Sequence, residues 1–114
     1  MRKLVILESP YAGNLWQRWR NRCYARRCMR DSLMRGEAPI ASHLLFTQKG
    51  ILCDERPLER IIGIEAGLEW CRAAELMVIY TDRGLSGGVR AAIIEAAMHK
   101  LPVEYRALDT DLPQ

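Results

Sequence analysis

From Leu76 to Tyr80 the chain runs five apolar residues in a row, inside the stretch ELMVIYT (75–81). A run of strand length with no polar residue to turn toward water fits a strand buried on both faces, the situation of a central strand in a parallel sheet. Parallel neighbours cannot be joined by a tight turn; each needs a crossover, usually helical, of a dozen residues or more. The rest of the chain must therefore supply alternating strands and helices.

It does so, with a marker at each changeover. KLVILE (3–8) reads as the first and central strand and stops at Ser9-Pro10, where proline cannot continue a central ladder. Asn14 is suited to cap a long helix to about Arg35, ended by Gly36. APIASH (38–43) reads as a second strand. Pro57 opens a helix to about Ala73, in which Leu58, Ile61, Ile62, Leu68 and Cys71 recur at helical spacing as its inward stripe. Ser86 is suited to cap a last helix to about His99, burying Val89, Ile93, Ala96 and Ala97, and LPVEYRAL supplies a final short strand before a frayed tail, DTDLPQ. The expected fold is α/β: a flavodoxin/Rossmann-like three-layer sandwich, with a parallel sheet of about four or five strands in one domain over residues 1–114.

Composition narrows the setting. Half the residues are apolar and a quarter charged, which argues against disorder, and no apolar run approaches the length of a membrane span. The start, MRKLVILESP, is interrupted by Glu8 and lacks a cleavage site, so it reads as a buried strand. Cys23, Cys28, Cys53 and Cys71 form neither a CxxC pair nor a finger spacing; they read as reduced thiols of a cytoplasmic protein, with no metal and no cofactor. Between Asn14 and Arg35 seven arginines face one acid, Asp31, a surplus of six that leaves −3 on the remainder. That basic helix raises the possibility of nucleic acid, but its Trp16, Trp19 and Cys23 stripe and the absence of any nucleic-acid motif favour a solvated helix or a homo-oligomer contact.

Ligands of open parallel sheets bind beyond the carboxyl ends of the strands, where strand order reverses. That rule selects four places: SPYAGN, with Pro10, Tyr11 and Gly13; the end of the second strand, with His43 as a pocket wall; DRGLSGG, with Asp82, Ser86, Gly87 and Gly88 and then Arg90 in the first helical turn; and the tip after Tyr105. Glycines there permit close backbone approach, the helix N-terminus attracts an anion, and Tyr11 offers a ring for stacking on a base. A plain capped strand-to-helix turn fits the spacing of DRGLSGG equally well, and it is neither a GxGxxG nor a Walker sequence. Among the acids, Glu65 falls on the inward stripe, Asp54, Glu55 and Glu59 read as solvated, and Glu95 lies deep in the last helix.

Taken in order, VILESPYAG, PIASHLLF, DERPLERIIGIEAGLEW and ELMVIYTDRGLSGGVRAAIIEA resemble the nucleoside 2-deoxyribosyltransferase-like superfamily, in particular a small branch of phage and bacterial genomes, over residues 4 to 106. The resemblance implies a flavodoxin-like domain, often oligomeric, that cleaves or exchanges the N-glycosidic bond of deoxynucleosides or nucleotides through a glutamate of the last helix. Carried over from Ser86 and Gly88, that glutamate position is Ala92, which cannot form a glycosyl ester. Glu75 likewise stands where the resemblance implies aspartate. The expectation is a nucleotide-binding site without its nucleophile: a binder of a nucleotide or nucleotide-derived signal, and in a phage a sponge for a host immune messenger. The alternative is an active glycosidase or transferase that uses another carboxylate, with Glu95 as the candidate.

Overall fold

The computed structural model describes residues 1–108, so the expected fraying of DTDLPQ lies outside the described residues. The chain runs β1 (Leu4–Glu8), α1 (Leu15–Met34), β2 (Ala38–Ile40), α2 (Ser42–Leu45), α3 (Pro57–Glu69) with a 3₁₀ turn (Trp70–Arg72), β3 (Leu76–Tyr80), α4 (Gly87–Met98) and β4 (Val103–Arg106). The four strands form one all-parallel sheet in the order β2-β1-β3-β4. Helices cover both faces, as in flavodoxin/Rossmann-like three-layer folds.

Strand alternation builds the two cores. Val5, Leu7, Leu76, Val78 and Tyr80 point to one face and pack with Tyr24 and Cys28 of α1. Ile6, Met77 and Ile79 point to the other and pack with Val89, Ala92 and Ala96 of α4 and Cys71. Every residue of β3 is buried, which is why its sequence contains no polar position.

Local signals act where the sequence places them. Asn14 and Gln17 form a reciprocal capping box at 2.9 Å each way. Gly13, at φ 142°, leaves the room Gln17 occupies, since a Cβ there would meet Gln17 Cβ at 2.8 Å. Gly36, at φ 87°, follows the end of α1.

Four expectations are corrected, the first being Ala97, which is exposed while Ala92 takes its place on the buried face of α4. β2 ends at Ile40, and His43 sits on the one-turn α2 rather than on a strand. Trp16 and Trp19 are exposed and stack on each other with centroids 5.2 Å apart, while the buried face of α1 is Tyr24, Ala25, Cys28 and Ser32. In α3 the large apolar residues Leu58, Ile61 and Ile62 face solvent together with Glu65. The helix packs instead through small residues: a Cβ on Gly63 would approach Leu52 Cδ1 to 3.2 Å, and one on Gly67 would meet Ser42 Cβ at 2.8 Å. Close approach of α3 to α2 is bought by missing side chains, not by filling space with large ones.

Gly67→Ala is therefore expected to destabilise the fold by about 1–3 kcal/mol through overpacking, despite alanine's better helix propensity. A thermal melt lowered by several degrees is the expected result; an unchanged or raised melting temperature would show that α2 yields freely.

Candidate functional site at the strand-order switch

The sheet order reverses between β1 and β3, so the loops that leave these two strands diverge and open a crevice between them. A cavity of about 240 Å³ lies there. Its walls come from the end of β1 (Glu8, Ser9), the following loop (Tyr11), α2 (Ser42, His43), α3 (Arg60, Gly67) and the first turns of α4 (Ser86, Gly87, Gly88, Ala92). A smaller cavity of about 70 Å³ adjoins it through Ser42, His43, Asp54, Arg60 and Ile64. A larger, wide-open hollow of about 940 Å³ lies between α1 and residues 39–49, but no helix of two or more turns points its N-terminus into it.

At the mouth of α4, Ser86 is the N-cap, and its Oγ accepts a hydrogen bond from Val89 N at 3.2 Å. The N–H groups of the first turn have no acceptor within the helix. Neither Gly87 nor Gly88 has a left-handed backbone, and a Cβ added to Gly87 would meet nothing within 4 Å, one on Gly88 only Ser86 Oγ at 3.9 Å. These glycines are thus not demanded by the turn or by internal packing. What their missing side chains provide is room in the cavity wall at a helix N-terminus, a place suited to an anion.

Opposite stand Tyr11 and His43, edge to face with centroids 5.9 Å apart. His43 Nε2 lies 3.0 Å from the buried Ser9 Oγ, which places a serine with this histidine that the sequence reading had not paired with it. Burial pushes the imidazole down to about 4, so at neutral pH the ring is uncharged and serves as a hydrogen-bonding wall. Glu8 is pushed the other way, up to about 8, again by burial. In the cavity wall Arg60 pairs with Asp54 at 3.1 Å.

Residues 3–106 match the family described as a domain of unknown function, DUF7768. The chain belongs to the DUF7768 family. No curated protein matches it at a significant level.

Of the residues singled out from sequence, this DUF7768 member brings Tyr11, His43, Ser86, Gly87 and Gly88 together around the cavity. Pro10, Gly13, Asp82 and Arg90 do not line it. Pro10 is buried, Gly13 accommodates the α1 cap, and Arg90 is exposed. Asp82 is structural: Oδ1 accepts from Tyr24 Oη at 2.6 Å and from Leu108 N at 2.9 Å, tying β3 to α1 and to the end of β4. Glu95 does not line the cavity either, and sits 3.4 Å from His99 Nε2. Ala92, at the carried-over glutamate position, is buried and lines the cavity.

Sequence reasoning missed Glu8, Ser9, Arg60 and Asp54, the last of which it read as solvated. A signal for Glu8 was present: in a strand whose other residues are apolar, a terminal carboxylate has nothing of its own kind beside it. Among the described residues no group of three or more His, Cys, Asp or Glu is placed to hold a metal ion, and no helix is long and apolar enough to cross a membrane.

Proposed function

We propose that this protein binds a nucleotide or a nucleotide-derived small molecule in the switch-point cavity and holds it without transforming it. The observation that carries the reading is the Gly87-Gly88 opening of α4: both glycines line the cavity, with room where a side chain would stand, at a helix start whose first N–H groups have no acceptor within the helix. Tyr11 adds a ring for a base. Ala92 removes the carboxylate that the resemblance to deoxyribosyltransferase-like proteins implies. In a phage, such a binder would act as a sponge for a host immune nucleotide.

The test exploits opposite signs. Gly87→Ala is expected to leave the free protein as stable or more so, by up to about 1 kcal/mol, because alanine favours the helix and meets no obstruction. The same change is expected to weaken binding of deoxynucleoside monophosphates, cyclic nucleotides or ADP-ribose about tenfold, and Gly87→Val more. Calorimetric titration with that panel decides; absence of binding to all of them in the wild type ends the proposal.

A second reading, hydrolysis or exchange of the N-glycosidic bond, is favoured by one observation: Glu8 puts a carboxyl into the cavity that Ala92 also lines. Free base that accumulates with time, and does not in Glu8→Gln, would establish it. Intact nucleotide recovered in proportion to protein would establish the binder. The uncovered Leu58, Ile61 and Ile62 face of α3 supports a homo-oligomer, which sedimentation would read directly.

A further inference from the structure

Glu8 is the last residue of β1 and shares the sheet face of Ile6, so the strand carries its side chain toward α4 and away from α1. Half-buried at the strand end, it lines the cavity with Gly67, Leu68, Val89, Ala91 and Ala92, and the polar lining residues Ser9, Ser42, His43, Arg60 and Ser86 make no hydrogen bond to it. No described residue donates a hydrogen bond to its carboxyl or pairs with it, and burial is the sole cause of its altered acidity. A desolvated carboxyl without a partner is costly, and cavities that take ligands are where such groups are kept.

Gly88 and Ala92 are one helical turn apart and both line the same space. A ligand whose anionic end sits on the N–H groups of the first turn of α4 therefore extends inward past Ala92 to Glu8. We infer that Glu8 reads the uncharged end of the ligand, its carboxylic acid donating a hydrogen bond to a ring nitrogen or carbonyl oxygen. This rests on the nucleotide-binding reading and adds to it the side chain that recognises the base and the protonation state in which it does so.

The titratable and charged groups around Glu8 leave the relevant pH range to it. His43 of α2 is held neutral by burial, the Asp54 and Arg60 side chains satisfy each other, and the thiol of Cys71 is raised by burial and by the carboxyls of Glu95 and Glu8. Tyr11 contributes its ring from the β1–α1 loop. An ionised Glu8 loses its proton and turns from donor to acceptor, so affinity must fall as pH rises through about 8.

The experiment is calorimetric titration of the wild type, Glu8→Gln and Glu8→Ala with deoxynucleoside monophosphates, above the second phosphate ionisation. With one proton held on binding, wild-type affinity is expected to fall about 30-fold between about pH 7 and about pH 9.5. Glu8→Gln, which keeps a donor, should bind at near wild-type strength at neutral pH with a flat profile; Glu8→Ala should bind weakly at every pH, with thermal melts confirming that both variants are folded. Affinity that rises with pH, a wild-type profile as flat as that of Glu8→Gln, or full-strength binding by a folded Glu8→Ala overturns the assignment while leaving nucleotide binding in place. No binding of any nucleotide by the wild type at any pH overturns both.

Discussion

Glu37→Ala is expected to lower the free energy of unfolding by about 3–5 kcal/mol, a large share of what a domain of this size possesses. Arg106, at the end of β4, is buried, and its guanidinium meets Glu37 in a fork, Nη1 to Oε1 at 2.7 Å and Nη2 to Oε2 at 2.6 Å. Removing the carboxylate leaves a buried charge with poorer company: Glu104, which is half exposed, and the Tyr80 hydroxyl at 3.5 Å. Because Glu104 remains, the lower end of the range is the better expectation. The cost reaches further, since Ser32 Oγ of α1 also donates to Glu37 at 2.7 Å and Tyr80 Oη donates to Asp31 at 2.6 Å, so one network joins α1, β3, β4 and the start of β2. Urea unfolding at neutral pH measures it, and a loss below about 1 kcal/mol would mean that the pair is solvated rather than buried. Removing both partners as Glu37→Leu with Arg106→Leu should recover much of the loss, because no unpaired charge is then left inside.

The same pair makes a pH prediction. The Arg106 guanidinium holds the Glu37 carboxyl below its ordinary value of 4.5, so its contribution is present above that value and is lost as pH falls through the lower, folded-state one.

Glu8 acts with the opposite sign, and Glu8→Gln is expected to stabilise the free protein in alkaline but not in acidic solution. In the unfolded chain Glu8 ionises near 4.5, whereas in the fold it holds its proton to about 8. Folding is therefore penalised progressively between these values and by a constant amount above them. The full difference corresponds to an upper bound of about 5 kcal/mol, reduced by whatever water the open cavity admits. Glutamine has no charge to desolvate, so its advantage in melting temperature should be absent near pH 4.5 and full near pH 9. An equal difference at both ends would show that the carboxyl is solvated in the free protein.

Both predictions concern residues whose surroundings come from segments remote in the chain. Glu37 and Arg106 are 69 positions apart, and each looks like an ordinary surface charge beside its neighbours. Asp82 stands at the end of the buried strand in the glycine loop, where a ligand contact is expected, yet Tyr24, 58 positions away, claims it. Gly63 and Gly67 reverse the apparent polarity of α3: their value lies in what they let approach, Leu52 and Ser42, which no helical periodicity registers. The stripe of Leu58, Ile61 and Ile62 looks like a core face for the same reason and is not one.

What the sequence by itself determined was local or periodic. The unbroken apolar run of β3, the Asn14 and Gln17 box, the glycine after α1 and the Ser86 cap each depend on residues within a turn or a strand's length, and together they dictate alternating strands and helices and a parallel sheet. That architecture in turn places the crevice, because reversal of strand order follows from connectivity. Tyr11, His43, Ser86, Gly87 and Gly88 were legible as its lining, whereas the entry of Glu8, Ser9, Asp54 and Arg60 into the crevice was decided by tertiary structure. Glu8 and His43 acquire their shifted acidities from burial by segments remote in the chain, and desolvation is a property of the assembled surroundings that no single residue carries.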